Sequence, residues 1–483
     1  MESVIGYEKE LNAHVKKERA AVVLASKTGE LLYDKGIELV LFRNTLLDVT
    51  ISEILNLHDY AKNVVNKPID VFTTSELAEE IYKMNLAPAK LDIGKIASEW
   101  LSEQNTYASK RSFLDKKLAG FDIVSTDPIE PRDVVLYGFG RIGRIAAREL
   151  IKQAGKGQQL RLRAIVTRGS SDKDIVKRAS LLRMDSVHGA FKGTVEVDLD
   201  KKALVINGQI VHMIDAPTPE SIDYTIYGIE NALVIDNTGV FTDKEALSRH
   251  LAAKGVSKVL LTAPGKGIPN VVYGINQGEL ELDNEHLFSA ASCTTNAITP
   301  VLKVINDHLG VVKGHIETVH AYTNDQNLLD NMHKSPRRGR SAAINMVITS
   351  TGAGSAVTKV IPGLKDKLTA NAVRVPTPNG SLAILNLQVG KKTTVQEVNG
   401  LLKEAALNGD LVNQIYYSFD PELVSSDIIG NTCCAVYDSE ATIVSPDSEN
   451  VVLYVWYDNE FGYTKQVIRL AKYITKVQRK IYY

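Results

Sequence analysis

Cysteine is scarce in this chain of 483 residues: Cys293, Cys433 and Cys434 are all it has. Three thiols cannot staple a molecule of this length, so a disulfide scaffold is excluded and a reducing compartment is expected. Long apolar runs are missing too. No stretch reaches the about 18 consecutive apolar residues that a membrane-crossing helix needs. The opening MESVIGYEKELNAH has no basic segment leading into an apolar core and no Arg-rich pattern, so the expectation is a cytoplasmic protein without a leader. Neither sign of charge dominates, with 56 Lys and Arg against 57 Asp and Glu, and nucleic acid is not expected as a partner. No metal is expected.

What is present, 44% hydrophobic and 23% charged residues, describes a folded protein of about three domains at roughly 150 residues each. The even charge hides two parts. Residues 1–131 hold 16 basic and 21 acidic residues, whereas the remainder holds 40 and 36; glycine jumps from 5 to 28 across the same point. Turn chemistry at Asp127-Pro128 and Pro131 marks the boundary.

The first part reads as mostly helical. Ile93, Ile96, Ala97, Trp100 and Leu101 follow the stripe of an amphipathic helix, Ile51, Ile54, Leu55 and Ala61 do so less cleanly, and Thr73 with Glu76 forms the pattern of a capping box. This part carries no catalytic motif, and His14 and His58 read as surface or packing residues. An all-helical packing or docking module is expected.

The second part opens on an apolar run, Val134 to Tyr137, followed by Gly138-Phe139-Gly140-Arg141-Ile142-Gly143 and a helix-like IAARELI. Strand, glycine turn and helix, then a second strand from Leu162 to Val166, make a βαβ unit of the type that binds dinucleotides. The first glycine permits the turn, the second admits a pyrophosphate, and the third lets helix and strand pack closely. Further apolar runs at Ala232–Ile235 and Val259–Leu261 suit a parallel sheet. The second strand ends in Thr167-Arg168, without the carboxylate that would hold the ribose hydroxyls of NAD. A 2′-phosphate is therefore permitted, and Arg168 could pair with it. A lone cysteine, Cys293, stands before a helix-like ITPVLKVIND, where a helix N-terminus would lower its pKa. Taken alone, it could equally be a packing residue.

ASCTTN around Cys293, GFGRIGR, TVHAYTNDQ, Ser350-Thr351-Gly352, RVPT at Arg374 and WYDNEFGY occur together and in order, and with them the chain resembles the phosphorylating glyceraldehyde-3-phosphate dehydrogenases from about Arg132 onward. The resemblance implies an α/β fold: a Rossmann-type doubly wound dinucleotide domain over 132–292, completed by a C-terminal helix within 459–483, and an α+β catalytic domain over 293–458, after a helical extension over 1–131. It implies Cys293 as nucleophile toward an aldehyde and His320 as its base, the two activating each other as an ion pair. It further implies a substrate-phosphate site at Thr323, Asp325 and Arg374 and an inorganic-phosphate site at Ser292, Thr351, Gly352 and Arg340, with Thr294 beside the nucleophile. Arg337 and Arg338 read as solvated loop charge. Thr238, Gly239, Asn459 and Tyr463 join the glycine turn, Thr167 and Arg168 in holding NAD or NADP. The expected partners are a phosphorylated aldehyde, inorganic phosphate and further copies in a homotetramer, with a place in glycolysis or gluconeogenesis.

The chain departs from the family at Ala297, where a second cysteine is common, and at Asn331-Met332, where NAD-specific members often carry Leu-Pro. Cys433 and Cys434 read as buried packing residues. Two rival functions share the framework: an erythrose-4-phosphate dehydrogenase, which hydrolyses its thioester, and a regulatory or binding protein.

Overall fold

The computed structural model describes residues 2–124 and 128–483, with side chains from Tyr7 onward; Asp127 of the expected boundary turn lies outside the described residues. The chain divides into two compact units. One comprises the segment up to Pro131 together with Ala154–Gln159 and Val477–Tyr483, and the other Arg132–Gln153 with Leu160–Lys476. The sequence reading assigns Ala154–Gln159 and the last seven residues to the dinucleotide domain, whereas their contacts lie in the first unit.

The first unit is mainly helical, with helices Glu2–Lys35, Ile51–Asn63, Val71–Lys83, Ile93–Glu103 and Lys110–Lys117. Ile93, Ile96 and Ala97 are buried as their spacing predicts, with Trp100 and Leu101 packed against the same core. The third helix starts earlier than the Thr73 pattern suggests. Asp70 is its N-cap, accepting from Thr73 N at 2.8 Å and from Thr73 Oγ1 at 2.9 Å, because a carboxylate outcompetes a hydroxyl for free N–H groups. Complete capping boxes stand instead at Thr50 with Glu53 and at Ser109 with Ser112. His58 is a packing residue, its ring nitrogens bonded to Ile54 O and Thr74 Oγ1. The unit is not all-helical: Asn44–Thr45, Glu38–Leu41, Ala89–Asp92 and Lys480–Tyr482 form a four-stranded sheet in that order. Its last strand lies parallel to Ala89–Asp92.

The second unit holds two eight-stranded sheets. In the first, six parallel strands, Arg132–Tyr137, Leu160–Thr167, Gln209–Asp215, Ala232–Asp236, Val256–Leu261 and Leu287–Ser289, stand in the spatial order 3-2-1-4-5-6, and two antiparallel strands extend the Gln209–Asp215 edge. This is the doubly wound dinucleotide order, whose crevice opens where the strand order reverses, between Arg132–Tyr137 and Ala232–Asp236. Helix Phe461–Ile474 returns to this region. Its Lys465 donates to Glu149 at 2.6 Å and its Lys472 to Gln153 at 2.7 Å, both on helix Arg141–Lys152 or at its end.

The other sheet is mixed and centres on Val311–Ala321, flanked by Leu368–Val375 and Ser381–Val389. Helix Cys293–Leu309 packs on it through Ala297, Ile298, Val301, Leu302 and Ile305, against Ile316, Leu385, Leu387 and Leu453. Ala297 thus fills core volume. Cys434 is buried, its thiol donating to Asn296 O at 3.1 Å, and Cys433 is buried beside it; both precede strand Ala435–Asp438 rather than lying in it.

Candidate active site

The glycine turn and the loop after Ala232–Asp236 interlock through their backbones. Gly138 sits at φ +95°, and a Cβ there would stand 3.0 Å from Thr238 Cγ2 and 3.3 Å from Asn237 C, so only glycine lets the two loops close up. A Cβ on Gly143 would come within 2.4 Å of Gly138 O, while one on Gly140 would meet nothing within 4 Å. The third glycine is therefore spent on packing, and the second leaves open space beside a helix N-terminus that no side chain caps. Free N–H groups facing open space fit a pyrophosphate. The buried Asn237 Oδ1, without a hydrogen-bond partner among the described residues, fits a donor from a bound group. Arg141 is turned away, paired with Glu460 at 3.1 Å, so its contribution here is its backbone.

Behind the crevice lies a pair that sequence reading misses. Asp236, fully buried, accepts from Thr238 N and Thr238 Oγ1, each at 2.7 Å, and from the buried His250 Nε2 at 2.9 Å. Val240 N donates to Thr238 Oγ1 at 3.1 Å. The Thr238 hydroxyl is thus engaged inside the protein, and what the loop offers a cofactor is the backbone at Thr238 and Gly239.

Thr167 is buried and donates to Gly169 O at 3.1 Å. The acid that the sequence places nowhere near is supplied by the neighbouring strand. Asp215 pairs in register with Thr167, and its Oδ1 accepts from Gly169 N at 2.8 Å. Arg168 is exposed, with its carbonyl held by Arg178 Nη2 at 2.9 Å. The adenosine end of the crevice therefore carries both a carboxylate and two arginines, not the acid-free surface that the sequence predicts.

Cys293, the expected nucleophile, is placed by a strained approach. Ala291 takes φ +55°, and Ser292 then caps helix Cys293–Leu309, its Oγ accepting from Thr295 N at 3.0 Å. Cys293 is the first helical residue, and its Sγ lies 3.5 Å from His320 Nε2. His320 and Arg374 are partners in the parallel register of Val311–Ala321 and Leu368–Val375, which brings Arg374 Nη1 to 2.5 Å from His320 Nδ1; the same Nη1 donates to Ala321 O at 2.9 Å. His320 Nδ1 is also 2.7 Å from Ala321 O. With Nδ1–H directed at that carbonyl, Nε2 faces the thiol as an acceptor.

Burial first, and the Arg374 charge second, hold His320 down to about 3. Burial pushes the Cys293 thiol up, against the pull of Arg374 and of the helix N–H groups. Both shifts disfavour the charged forms, so desolvation opposes the low-pKa thiolate and the ion pair that the sequence leads one to expect.

The other expected site residues divide. Thr294 Oγ1 lies 3.0 Å from Tyr457 Oη, both buried. Asn459 Oδ1 accepts from Ser381 Oγ at 2.9 Å, which leaves its amide N–H groups for a carboxamide. Tyr463 donates to Ala291 O at 2.9 Å and so braces the strained residue. Buried Asp458 accepts from Glu460 N and Phe461 N, fixing the turn that presents Asn459. Thr323 is half-buried near the end of the His320 strand.

Asp325 is ion-paired with Arg338, whose Nε and Nη2 donate to Thr349 Oγ1 at 3.1 and 2.9 Å. Arg338 is thus an anchored group and not the loose loop charge expected. Both Asp325 and Arg338 act on Arg374 through their charges. Arg374 Nε is buried without a partner among the described residues, a donor suited to an anion. Thr351 Oγ1 accepts from Ala353 N at 3.2 Å at the start of helix Ala353–Val360, whose N-cap is Gly352. Arg340, two-thirds exposed, pairs with Asp330 at 3.0 Å.

A doubly wound dinucleotide sheet joined to a mixed sheet that holds one cysteine against one histidine defines a nicotinamide-dependent oxidoreductase. Residues 132–244 match the NAD binding domain of glyceraldehyde 3-phosphate dehydrogenase, and residues 292–459 match that family's C-terminal domain. The chain is 48% identical over 448 residues to a glyceraldehyde-3-phosphate dehydrogenase-like protein of Pseudomonas aeruginosa, covering 92% of this chain and 96% of the relative. It is 42% identical over 346 residues to glyceraldehyde-3-phosphate dehydrogenase 2 of Synechocystis, and 41% over 344 residues to glyceraldehyde-3-phosphate dehydrogenase 1 of Bacillus subtilis. Each of these covers 71% of this chain and 98% of the relative. The chain belongs to the glyceraldehyde-3-phosphate dehydrogenase family.

Proposed function

We propose that the chain catalyses the reversible, phosphorylating oxidation of glyceraldehyde 3-phosphate to 1,3-bisphosphoglycerate with NAD or NADP. The observation that carries the reading is the single row Cys293, His320, Arg374: nucleophile, base and anion-binding group held together by one helix start and one strand register. Cys293 Sγ attacks the aldehyde carbon as its proton passes to His320 Nε2, which returns it to the carbonyl oxygen, giving a hemithioacetal. His320 next accepts the hemithioacetal hydroxyl proton, and the carbonyl reforms as a thioester when hydride departs. The nicotinamide ring, when bound, supplies the hydride acceptor, with Asn459 holding its carboxamide and the 138–143 turn its pyrophosphate. Inorganic phosphate then attacks the thioester carbon, and Cys293 leaves as the thiolate. Arg374 receives the substrate phosphate, with Thr323 and Asp325 near it; Ser292, Thr351 and Gly352 take the attacking phosphate.

Arg340 in its pairing with Asp330 gives the hydrolytic rival, an erythrose-4-phosphate dehydrogenase, its footing, since that guanidinium is committed elsewhere. The test is initial rates with glyceraldehyde 3-phosphate, with and without phosphate, and with NAD and NADP in parallel. A rate indifferent to phosphate selects hydrolysis; full turnover by Cys293→Ser removes the thioester mechanism; and no turnover of the native chain under any of these conditions favours a binding role for the scaffold. For the cofactor, Arg168→Ala is expected to lower affinity for NADP and leave NAD unchanged, Asp215 being the opposing influence. Family resemblance further supports a homotetrameric catalytic unit in the cytoplasm. Among the described residues no helix is long and apolar enough to cross a membrane.

A further inference from the structure

The first helix, Glu2–Lys35, is about 50 Å long at 1.5 Å per residue, and only its second half is packed. Ala21, Leu24, Thr28 and Leu31 are buried against the rest of the unit, whereas every residue from Tyr7 to Ala20 is exposed or half-exposed. Along this half Tyr7 (68% exposed), Leu11 (47%), Val15 and Val22 (54%) fall within about 80° of one another around the axis, at roughly 100° per residue. That stripe is turned roughly 125° away from the buried face, with the half-exposed Glu18 falling between Tyr7 and Leu11 around the axis. It is a second, mainly apolar seam that its own fold leaves uncovered.

The charges beside the seam state what fits it. Glu8 and Arg19 flank one side, and Glu10 and Lys17 the other, so acid stands toward the helix start and base toward the middle on both sides. A second copy laid antiparallel, with its two-fold axis between residues 13 and 14, puts Glu8 opposite Arg19 and Glu10 opposite Lys17, each pair occurring twice by symmetry. The same register sets Leu11 against Val15. A parallel copy would set like charge on like. Among the described residues this stretch makes one ion pair of its own, His14 with Glu18 at 3.5 Å, weak and exposed.

We propose that residues 7–22 form a homotypic antiparallel helix pair, through which the N-terminal unit of one chain joins that of a second copy. Alternation of apolar seam and opposed flanking charges is the pairing code of two-stranded coils, and the symmetric register makes the contact isologous.

The test is sedimentation velocity on the full-length chain over a concentration series. Glu8→Arg alone and Arg19→Glu alone are each expected to raise the dissociation constant by about tenfold or more, and the double reversal E8R/R19E to restore it, because opposed charges set partner choice at such seams. In a Cys293→Ser background, chains carrying Leu11→Cys mixed with chains carrying Val15→Cys should form a disulfide between copies under mild oxidation. These positions are exposed, so the variants should keep the fold, checked by circular dichroism. Masses unaffected by either reversal, or single reversals that weaken association without rescue by the double, would overturn the proposal, as would a mixture that yields no cross-link. Any association made by the catalytic unit is common to all variants and cancels from the comparison.

Discussion

His320 is held neutral by its surroundings, and the consequence is measurable. Unfolded, it titrates near 6.5; folded, at about 3. Between these values the unfolded chain binds the extra proton, so the stability tied to the buried neutral ring is complete above about 6.5 and is lost as pH falls toward 3. His320→Gln removes this proton uptake: its Tm should fall less than that of the native chain between about pH 6.5 and about pH 4, while turnover drops by about 10²- to 10⁴-fold. Equal acid slopes would show that the ring is not desolvated as described. Arg374→Gln tests the neighbouring charge. Removing it lets His320 rise, so the acid limb of kcat/KM should move to higher pH as substrate binding weakens; an unmoved limb would leave burial as the sole cause.

Among elements, the two loops at the strand reversal depend on Asp236. Its carboxylate takes three donors in a buried site, so Asp236→Asn breaks the pair with His250 and weakens the hold on Thr238. A loss of about 3 kcal/mol is expected by analogy with other broken buried pairs, read by denaturant melts, together with a higher KM for the dinucleotide at nearly unchanged kcat. An unchanged KM would mean that the loop is held by its backbone interlock with Gly138 alone. This pair also shows where the sequence stops speaking. Cys293, His320 and the glycine turn are legible because their residues lie in contiguous motifs. Asp236 and His250 are fourteen residues apart, and Asp215 reaches Thr167 only through sheet register, which no local pattern displays. The sheet of the N-terminal unit was illegible for another reason: its strands have two to four residues, too short for a period, and one of them comes from the far end of the chain.

For the whole molecule, that distant strand changes how the extension can be studied. Lys480–Tyr482 pairs with Ala89–Asp92, and Tyr482 Oη donates to Glu99 at 2.5 Å. Deleting residues 477–483 is therefore expected to lower the melting temperature of the N-terminal unit by several degrees, as a loss of about 1–2 kcal/mol would in a domain of its size, with dehydrogenase turnover nearly unchanged. A melting curve identical to that of the full chain would show the strand to be dispensable. By the same logic, a chain beginning near Arg132 leaves Ile481 and Tyr482 without their sheet, so such a truncation is not a neutral removal.

The chain passes between the two units at four points, Pro131, Gln153, Gln159 and Lys476. Cleavage at the first of them leaves residues 1–131 with no covalent link to the rest, held only by their packing with Ala154–Gln159 and Val477–Tyr483, so the cut fragment should stay bound until it is denatured. The same interleaving sets how the parts can be separated. A helical module joined simply in front of an enzyme would have one junction; here an inner loop and the tail also belong to that module, so producing either unit alone takes changes at three separated places in the chain.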